Sequence, residues 1–442
     1  MRGKTDRENA TETSGMKKKS RSSMNLARMA PDPSWAFAEL TRSHRCYISH
    51  GYYTYPAKFI PQLAARLICE FSREGDVVVD PFMGSGTTVL EAIVHGRVGV
   101  GVDVNPVAYL IARVKATPLR PEVVKETYDQ LAEELESTTR VRVALPKHER
   151  IAYWFPTEQR KRLAFLLNSI GRIRPQPLRD FFLVAFAQVL KSCSIWSQRM
   201  VKPMRDLQKK PADPFVAFLR HARYMLRQNE ALWGTVPPRV RQSKSMRDVR
   251  VIKCTDARRL PVKDGAAALV VTSPPYVTSY EYADLHQLAA LWFEFYESLP
   301  EFRRRFIGTA HSERSRIDLK SPIAERICAE LGETKKSREV RNYFSDLLEC
   351  FDEMRRALKP GGKACIVIGN TELQGVKILN AEVFLQQLQA VGFEIHGIIK
   401  REIPSKMLPQ VRDPDSGKFT SAKGSGKVLA YPVEYILVMG RR

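Results

Sequence analysis

Three short apolar runs in this chain each lead straight to an acid, and that repetition limits the fold more than any other feature. They are Val77-Val78-Val79-Asp80, then Val98-Gly99-Val100-Gly101-Val102-Asp103, then residues 249–254 followed by Thr255-Asp256. β-Branched runs of this length, the first two uncharged, read as strands. Between the first two lies Pro81-Phe82-Met83-Gly84-Ser85-Gly86-Thr87, a glycine-rich turn, and residues 88–95 after it have helical spacing. Strand, tight turn, helix and strand again is the rhythm of a parallel α/β sheet, which places its ligands beyond the carboxyl ends of the strands. The expected class is therefore α/β, a Rossmann-like sheet with helices on both faces.

The turn after the first strand narrows the ligand. Glycines let a backbone approach a bound group without a Cβ in the way. The third glycine of a dinucleotide fingerprint is missing, and no Gly-Lys-Thr/Ser follows to cradle a phosphate. What remains is a nucleoside site. Asp103 sits one βα unit after the glycines, where a carboxylate can hold both ribose hydroxyls, and Asp256 could accept from an adenine amino group. A capping or turn role for either acid stays open.

A fourth run, residues 266–271, leads into Thr272-Ser273-Pro274-Pro275-Tyr276. Two prolines forbid both a continued ladder and an immediate helix, because they lack amide protons and fix φ. A hydroxyl and an aromatic ring are thus held in a stiff turn at a strand's carboxyl end. Strands are also expected over 363–368, 393–400 and 433–439, with helices over 283–296, 340–358 and 380–391.

The 442 residues carry 71 Lys and Arg against 48 Asp and Glu, a net +23. Such an excess favours polyanions, so nucleic acid is the leading partner class. The seven cysteines are scattered, with no C-x-x-C pair, which argues against a disulfide framework or zinc ribbon. No metal is expected. No apolar stretch reaches membrane-spanning length, so the expected location is cytoplasmic, associated with the nucleoid, and no membrane partner is expected.

Residues 1–30 read as a disordered basic arm, and 31–120 as the first, cofactor-binding part of the core. Residues 121–247 lose the β-α rhythm and read as an inserted helical subdomain. Helices are expected there over 122–136, 157–170 (capped by Thr157), 178–190 and 213–233. Its loop with Trp196, Arg199, Lys202, Arg205, Lys209 and Lys210 combines aromatic and basic side chains, as suits nucleic-acid contact. Residues 248–299 return to the core with the Pro-Pro turn, 300–338 read as a polar insertion without periodicity, and 339–442 complete the core.

Taken together, these motifs resemble the S-adenosylmethionine-dependent amino-methyltransferases of DNA. Asp80–Thr87 is similar to that family's cofactor loop. Tyr55-Pro56-Ala57-Lys58-Phe59 is similar to the segment closing over the cofactor's methionine end. Ser273-Pro274-Pro275-Tyr276 is similar to the catalytic motif, in the form typical of cytosine-N4 enzymes. The resemblance implies a methyltransferase sheet and S-adenosylmethionine as methyl donor. Tyr55, Pro56, Ala57, Lys58, Phe59, Asp80, Phe82, Gly84, Gly86, Thr87, Asp103 and Asp256 would hold it. Ser273, Pro274, Pro275 and Tyr276 would be catalytic. It implies duplex DNA as substrate, bound by a monomer, with a cognate restriction endonuclease left open as a partner. The helical insertion is a candidate for target recognition.

An exocyclic amine can attack the sulfonium methyl directly, so the turn needs only to orient it. Ser273 and the Pro274 carbonyl would accept its hydrogens, and Tyr276 would stack on a base taken out of the duplex. Cytosine-C5 methylation needs a Pro-Cys nucleophile, and no cysteine here follows a proline. Adenine-N6 methylation, RNA methylation and a non-catalytic nucleic-acid binder on the same scaffold remain alternatives. Because the charge excess implies phosphate contacts, DNA affinity should fall about a thousandfold or more between roughly 50 and 200 mM salt. A salt titration of binding to plasmid DNA, read by anisotropy or filter retention, checks this.

Overall fold

The computed structural model describes residues 26–56, 58–200, 202–243, 246–277, 282–308, 318–403, 411–412, 428–429 and 432–442. The expected basic arm as far as residue 25, Ala57 and most of the Gly/Lys/Ser-rich stretch at 411–426 lie outside them. Of the segment Met1–Ala30 the described part is one 3-10 turn, Leu26–Arg28.

In the unit Pro31–Arg442, seven strands form one sheet. They are β1 (Val77–Asp80), β2 (Val98–Asp103), β3 (Arg250–Cys254), β4 (Ala267–Thr272), β5 (Leu358–Ile368), β6 (Phe393–Glu402) and β7 (Val433–Arg441), in the order β3-β2-β1-β4-β5-β7-β6. β3, β2, β1, β4 and β5 pair in parallel, while β7 is antiparallel to both its neighbours. The chain runs outward from β1 to β3 and then crosses back to β4 on β1's other side. That reversal is the topological switch point of the sheet. All six residues of β4 are buried, as a strand covered by helices on both faces must be. One face packs Val78, Leu269, Val271, Cys365 and Val367 under Leu63, Ala64, Leu67 and Ile68 of the helix Pro61–Phe71.

The stretch between β2 and β3 holds the helices Pro106–Lys115, Pro121–Ser137, Glu149–Trp154, Thr157–Gly171, Gln176–Cys193 and Pro214–Thr235. These bury Phe181, Phe182, Phe186 and Phe218 in one cluster with Val107, Leu110 and Ile111 of the first helix and with Leu288 and Trp292 beyond β4. The Asn229 amide clamps Leu119, accepting from its N–H at 3.1 Å and donating to its carbonyl at 2.9 Å. Arg250, the first residue of β3, donates to the Ala116 carbonyl at 2.8 Å and to the Thr117 hydroxyl at 2.5 Å. The chain therefore leaves for this helical block and returns from it at one point.

Several local expectations need correction. Thr157 is the first helical residue, not the cap; Pro156 takes that position, and the Thr157 hydroxyl accepts from Arg160 instead. The single helix expected over 283–296 is two short ones, Tyr282–Leu285 and Gln287–Trp292. They break at His286, which is buried and turned to a partner on another element, and Glu294 has φ +55°. Part of the aperiodic polar stretch is helical, as Leu299–Arg304 and Pro322–Glu330. Proline in the first turn and the Ser298 and Ser321 caps start these helices where hydrophobic period gave no sign. The helix expected from 340 begins at Lys335, capped by Thr334. β5 begins at Leu358, so Lys359-Pro360-Gly361-Gly362 belongs to the strand rather than preceding it.

Glycines in β2 let the helix Thr87–Val94 lie close on the sheet. A Cβ on Gly99 would stand 2.8 Å from the Val89 carbonyl oxygen, and one on Gly101 would stand 2.7 Å from the Met83 sulfur. Gly99→Ala should cost about 1–3 kcal/mol of stability by overpacking, read as a lowered midpoint in urea unfolding.

Candidate functional site

At the switch point, Asp80 ends β1 beside Thr272, which ends β4. The Thr272 hydroxyl donates to Asp80 Oδ1 at 2.6 Å, and the Phe82 amide donates to the same oxygen at 3.1 Å. Burial pushes the Asp80 carboxyl up to about 6, with these two bonds pulling the other way. The turn then rises through Gly84 (φ +46°) and Gly86 (φ +75°) into the helix Thr87–Val94. Both glycines have the left-handed conformation that L side chains resist. A Cβ at Gly84 would meet the Tyr55 ring at 3.2 Å, and one at Gly86 would meet the Ala112 Cβ at 2.7 Å.

Asp103, at the end of β2, accepts from the Gly84 amide at 3.0 Å and from the Asn105 amide at 2.8 Å. Desolvation raises it to about 6 against those amides. Asn105 caps the helix Pro106–Lys115 through the Val107 amide and passes its own NH2 to His286 Nδ1 at 2.7 Å. The His286 ring lies 4.8 Å from that of Tyr55, and burial lowers its pKa to about 4, so it is neutral at pH 7. Sequence reading missed His286, because nothing about an isolated histidine marks it.

On the far side, Ser273, Pro275 and Tyr276 follow β4. The Pro275 carbonyl accepts from the Tyr343 hydroxyl at 2.7 Å. The Tyr276 ring lies against Gly369, where a Cβ would be 3.3 Å away. Tyr343 sits on the helix Lys335–Ala357 and is not among the site residues expected from the sequence. Its i, i+3 spacing from Val340 is the signal that could have found it.

Asp256 is engaged on both oxygens. Arg258 Nη2 donates to Oδ2 at 2.5 Å and Nε to Oδ1 at 2.9 Å, while Arg258 Nη1 reaches Asp346 at 2.9 Å. Burial raises the Asp256 carboxyl, but the bonds from Arg258 outweigh it and hold it low. The expected adenine acceptor is thus an ion-paired carboxylate. Behind the glycine turn, Lys115 is fully buried and donates to the Ser85 carbonyl at 2.8 Å; burial drives its pKa well down. His50 and Tyr47 both donate to Glu91 Oε1, at 2.6 and 2.5 Å. Burial keeps His50 neutral.

A cavity of about 590 Å³ collects most of these residues. Of those expected to hold the cofactor, Tyr55, Lys58, Phe59, Asp80, Phe82, Gly84, Thr87, Asp103 and Asp256 line it, and so do Ser273, Pro275 and Tyr276. Lys58 donates to the His50 carbonyl at 3.0 Å. Pro56 faces a second cavity instead, Gly86 is a packing position, and Pro274 is buried outside the lining. Asp284, bound through both oxygens to Arg303 at 2.7 and 2.9 Å, lines the same cavity. Among the described residues, no group of His, Cys, Asp and Glu could hold a metal ion.

The pattern of the DNA methylase family, in its N6/N4 form, matches residues 3–113 and 267–441, more than half of the chain. This chain belongs to the N6/N4 DNA methylase family. The unmatched interval, 114–266, covers the helical block beyond the helix Pro106–Lys115, together with β3. The type II methyltransferase M.MvaI of Kocuria varians is 25% identical over 83% of this chain and 87% of its own. M.BsoBI of Geobacillus stearothermophilus, also a type II methyltransferase, is 23% identical over 74% of this chain and 75% of its own. Among solved structures, a SAM-dependent methyltransferase of Methanosarcina mazei is 10% identical over 85% of this chain and 96% of its own, with a TM-score of 0.29.

The cavity of this DNA methylase fits S-adenosylmethionine. Its volume lies within the roughly 300–1,000 Å³ usual for such ligands. Gly84 and the partly buried Asp103 carboxylate, joined through the Gly84 amide, line it side by side. A carboxylate that accepts from ribose hydroxyls must be ionised. Affinity for S-adenosylmethionine should therefore fall as pH drops through about 6, by up to about tenfold per unit below it. Asp103→Ala should weaken binding and remove most of that dependence. The ligand-free fold responds with the opposite sign. Its raised carboxyl gains from protonation between about pH 4 and 6. Calorimetric titrations with the cofactor at pH 5, 6, 7 and 8 check the first effect.

Proposed function

We propose that this chain transfers a methyl group from S-adenosylmethionine to the exocyclic N4 of cytosine in duplex DNA. The observation behind this reading is that the Ser273-Pro274-Pro275-Tyr276 turn and the glycine turn open on one cavity from the two sides of the switch point. S-adenosylmethionine, when bound, supplies a methyl made electrophilic by its sulfonium. The protein's share is positional. Gly84 and Asp103 hold the nucleoside end, with Phe59 and Lys58 at the methionine end. Ser273 Oγ accepts from the amine and aims its lone pair at the methyl. Tyr276 offers its ring to the extruded base, and the Tyr343 bond to Pro275 keeps the turn from yielding.

Serine favours cytosine over adenine in this reading. A neutral hydroxyl orients an amine without drawing off its proton, and Ser273 is the residue where adenine-directed relatives carry a carboxylate or amide. Direct attack leaves no intermediate bound to the protein, so no nucleophilic side chain is needed. The proton lost from the amine after transfer leaves to solvent through the open cavity. A partnership with a restriction nuclease would fit the type II relatives, and the chain's own target sequence is set by parts of the molecule outside this turn.

Incubation with labelled S-adenosylmethionine and plasmid DNA, followed by digestion and nucleoside chromatography, should yield N4-methylcytosine. N6-methyladenine in its place would sink the base assignment, and label in RNA alone would sink the polymer. Ser273→Ala should lower the single-turnover rate about tenfold or more and leave cofactor affinity within about twofold.

A further inference from the structure

We infer that the loop between Trp196 and Lys210 is a wedge that enters duplex DNA as the target base leaves it, with Met204 as the inserted side chain. The inference rests on the DNA-methylating reading above and names the element that makes the substrate accessible.

Large exposed hydrophobic side chains are few among the described residues, and they are not scattered. Of the six, Met200, Met204 and Leu207 belong to this loop, and Tyr153 touches it. Met204 is 46% exposed and Leu207 75%. Neighbouring Lys202 and Pro203 line the cavity that holds Ser273 and Tyr276, so the apolar tip stands at its mouth. Arg199, Lys202, Arg205 and Lys210 flank it and are exposed. Arg205 is held over the Tyr153 ring at 4.3 Å. Apolar side chains set among cations at a cavity that needs an extruded base match the chemistry of a duplex wedge. The apolar group fills the stack, and the cations meet the phosphates.

The base of the loop is built rather than loose. Trp196 is buried and stacks on Trp154 at 5.2 Å. Trp196 bridges Arg205 in antiparallel fashion, the Ser197 amide donates to the Met204 carbonyl at 2.8 Å, and the Asp206 amide donates to the Ile195 carbonyl at 2.7 Å. Lys209 Nζ donates to the carbonyls of Lys191 and Trp196, both at 2.7 Å. A rigid base lets the loop do work on the duplex. A chain that folded only on contact would spend that work on its own ordering.

The test compares the parent, Met204→Ala and Met204→Leu in single-turnover methyl transfer. The substrate is a duplex oligonucleotide carrying the methylated position mapped in plasmid DNA. Met204→Ala should slow transfer about tenfold or more, and Met204→Leu should restore most of it. Thermal midpoint and S-adenosylmethionine affinity should not change, since the side chain is half exposed. Replacing the base opposite the target by an abasic site lowers the cost of extrusion, and should rescue Met204→Ala more than it speeds the parent. If Met204→Ala matches the parent on the paired duplex, or if the abasic partner gives no differential rescue, the wedge is wrong while the methylating function stands. A parent that transfers no methyl to any DNA overturns the functional reading and this inference with it.

Discussion

One hydrogen bond spans the place where this sheet changes direction. Thr272 at the end of β4 donates to Asp80 at the end of β1, and from those two residues the chain departs into the Pro-Pro turn on one side and the glycine turn on the other. The two turns line one cavity from its two sides. Their relative placement is fixed by adjacent strands in register, Val79 opposite Val270, and by this buried bond at the strand ends. Asp80 is therefore an architectural acid, already used by Thr272 and Phe82. Asp103, which accepts from the Gly84 and Asn105 amides, lines the same cavity from the end of β2.

Much of this was legible in the sequence because the core obeys local rules. Short β-branched runs gave β1, β2 and β4 almost to the residue, and the two turns were recognisable from glycine and proline alone. Less legible was whatever depends on a partner distant in the chain. That Arg258 would tie Asp256 to Asp346, that Lys115 would support Ser85 from behind, and that His286 would break a helix to meet Asn105 are facts of packing. None leaves a periodic trace. The polar stretch at 300–338 misled for a related reason: its helices are short and started by caps and prolines, so hydrophobic period is a poor guide to them.

The helix Lys335–Ala357 supports both sides of the cavity at once. Tyr343 holds the Pro275 carbonyl, and one turn later Asp346 holds Arg258, which in turn occupies Asp256. The same helix packs both Tyr343 and Phe351 against Phe384 of the helix Asn380–Ala390, the rings 6.5 and 5.1 Å apart. The Pro-Pro turn and the acid after β3 thus lean on one rod, although they come from strands on opposite sides of β1.

Arg250 closes the neck of the helical block by binding Ala116 and Thr117, residues more than a hundred positions earlier. Seen from the sheet, the part of the crossover that follows the helix Pro106–Lys115 leaves and returns at that guanidinium. Since the entropy of closing a loop grows only with the logarithm of its length, a longer or shorter excursion costs the sheet little. The fold behaves as a socket. The length of the excursion is free to change, while the parts of it that reach back, Lys202 and Pro203 to the cavity and Arg150 and Phe186 to Gln287 and Trp292, stay tied to the core.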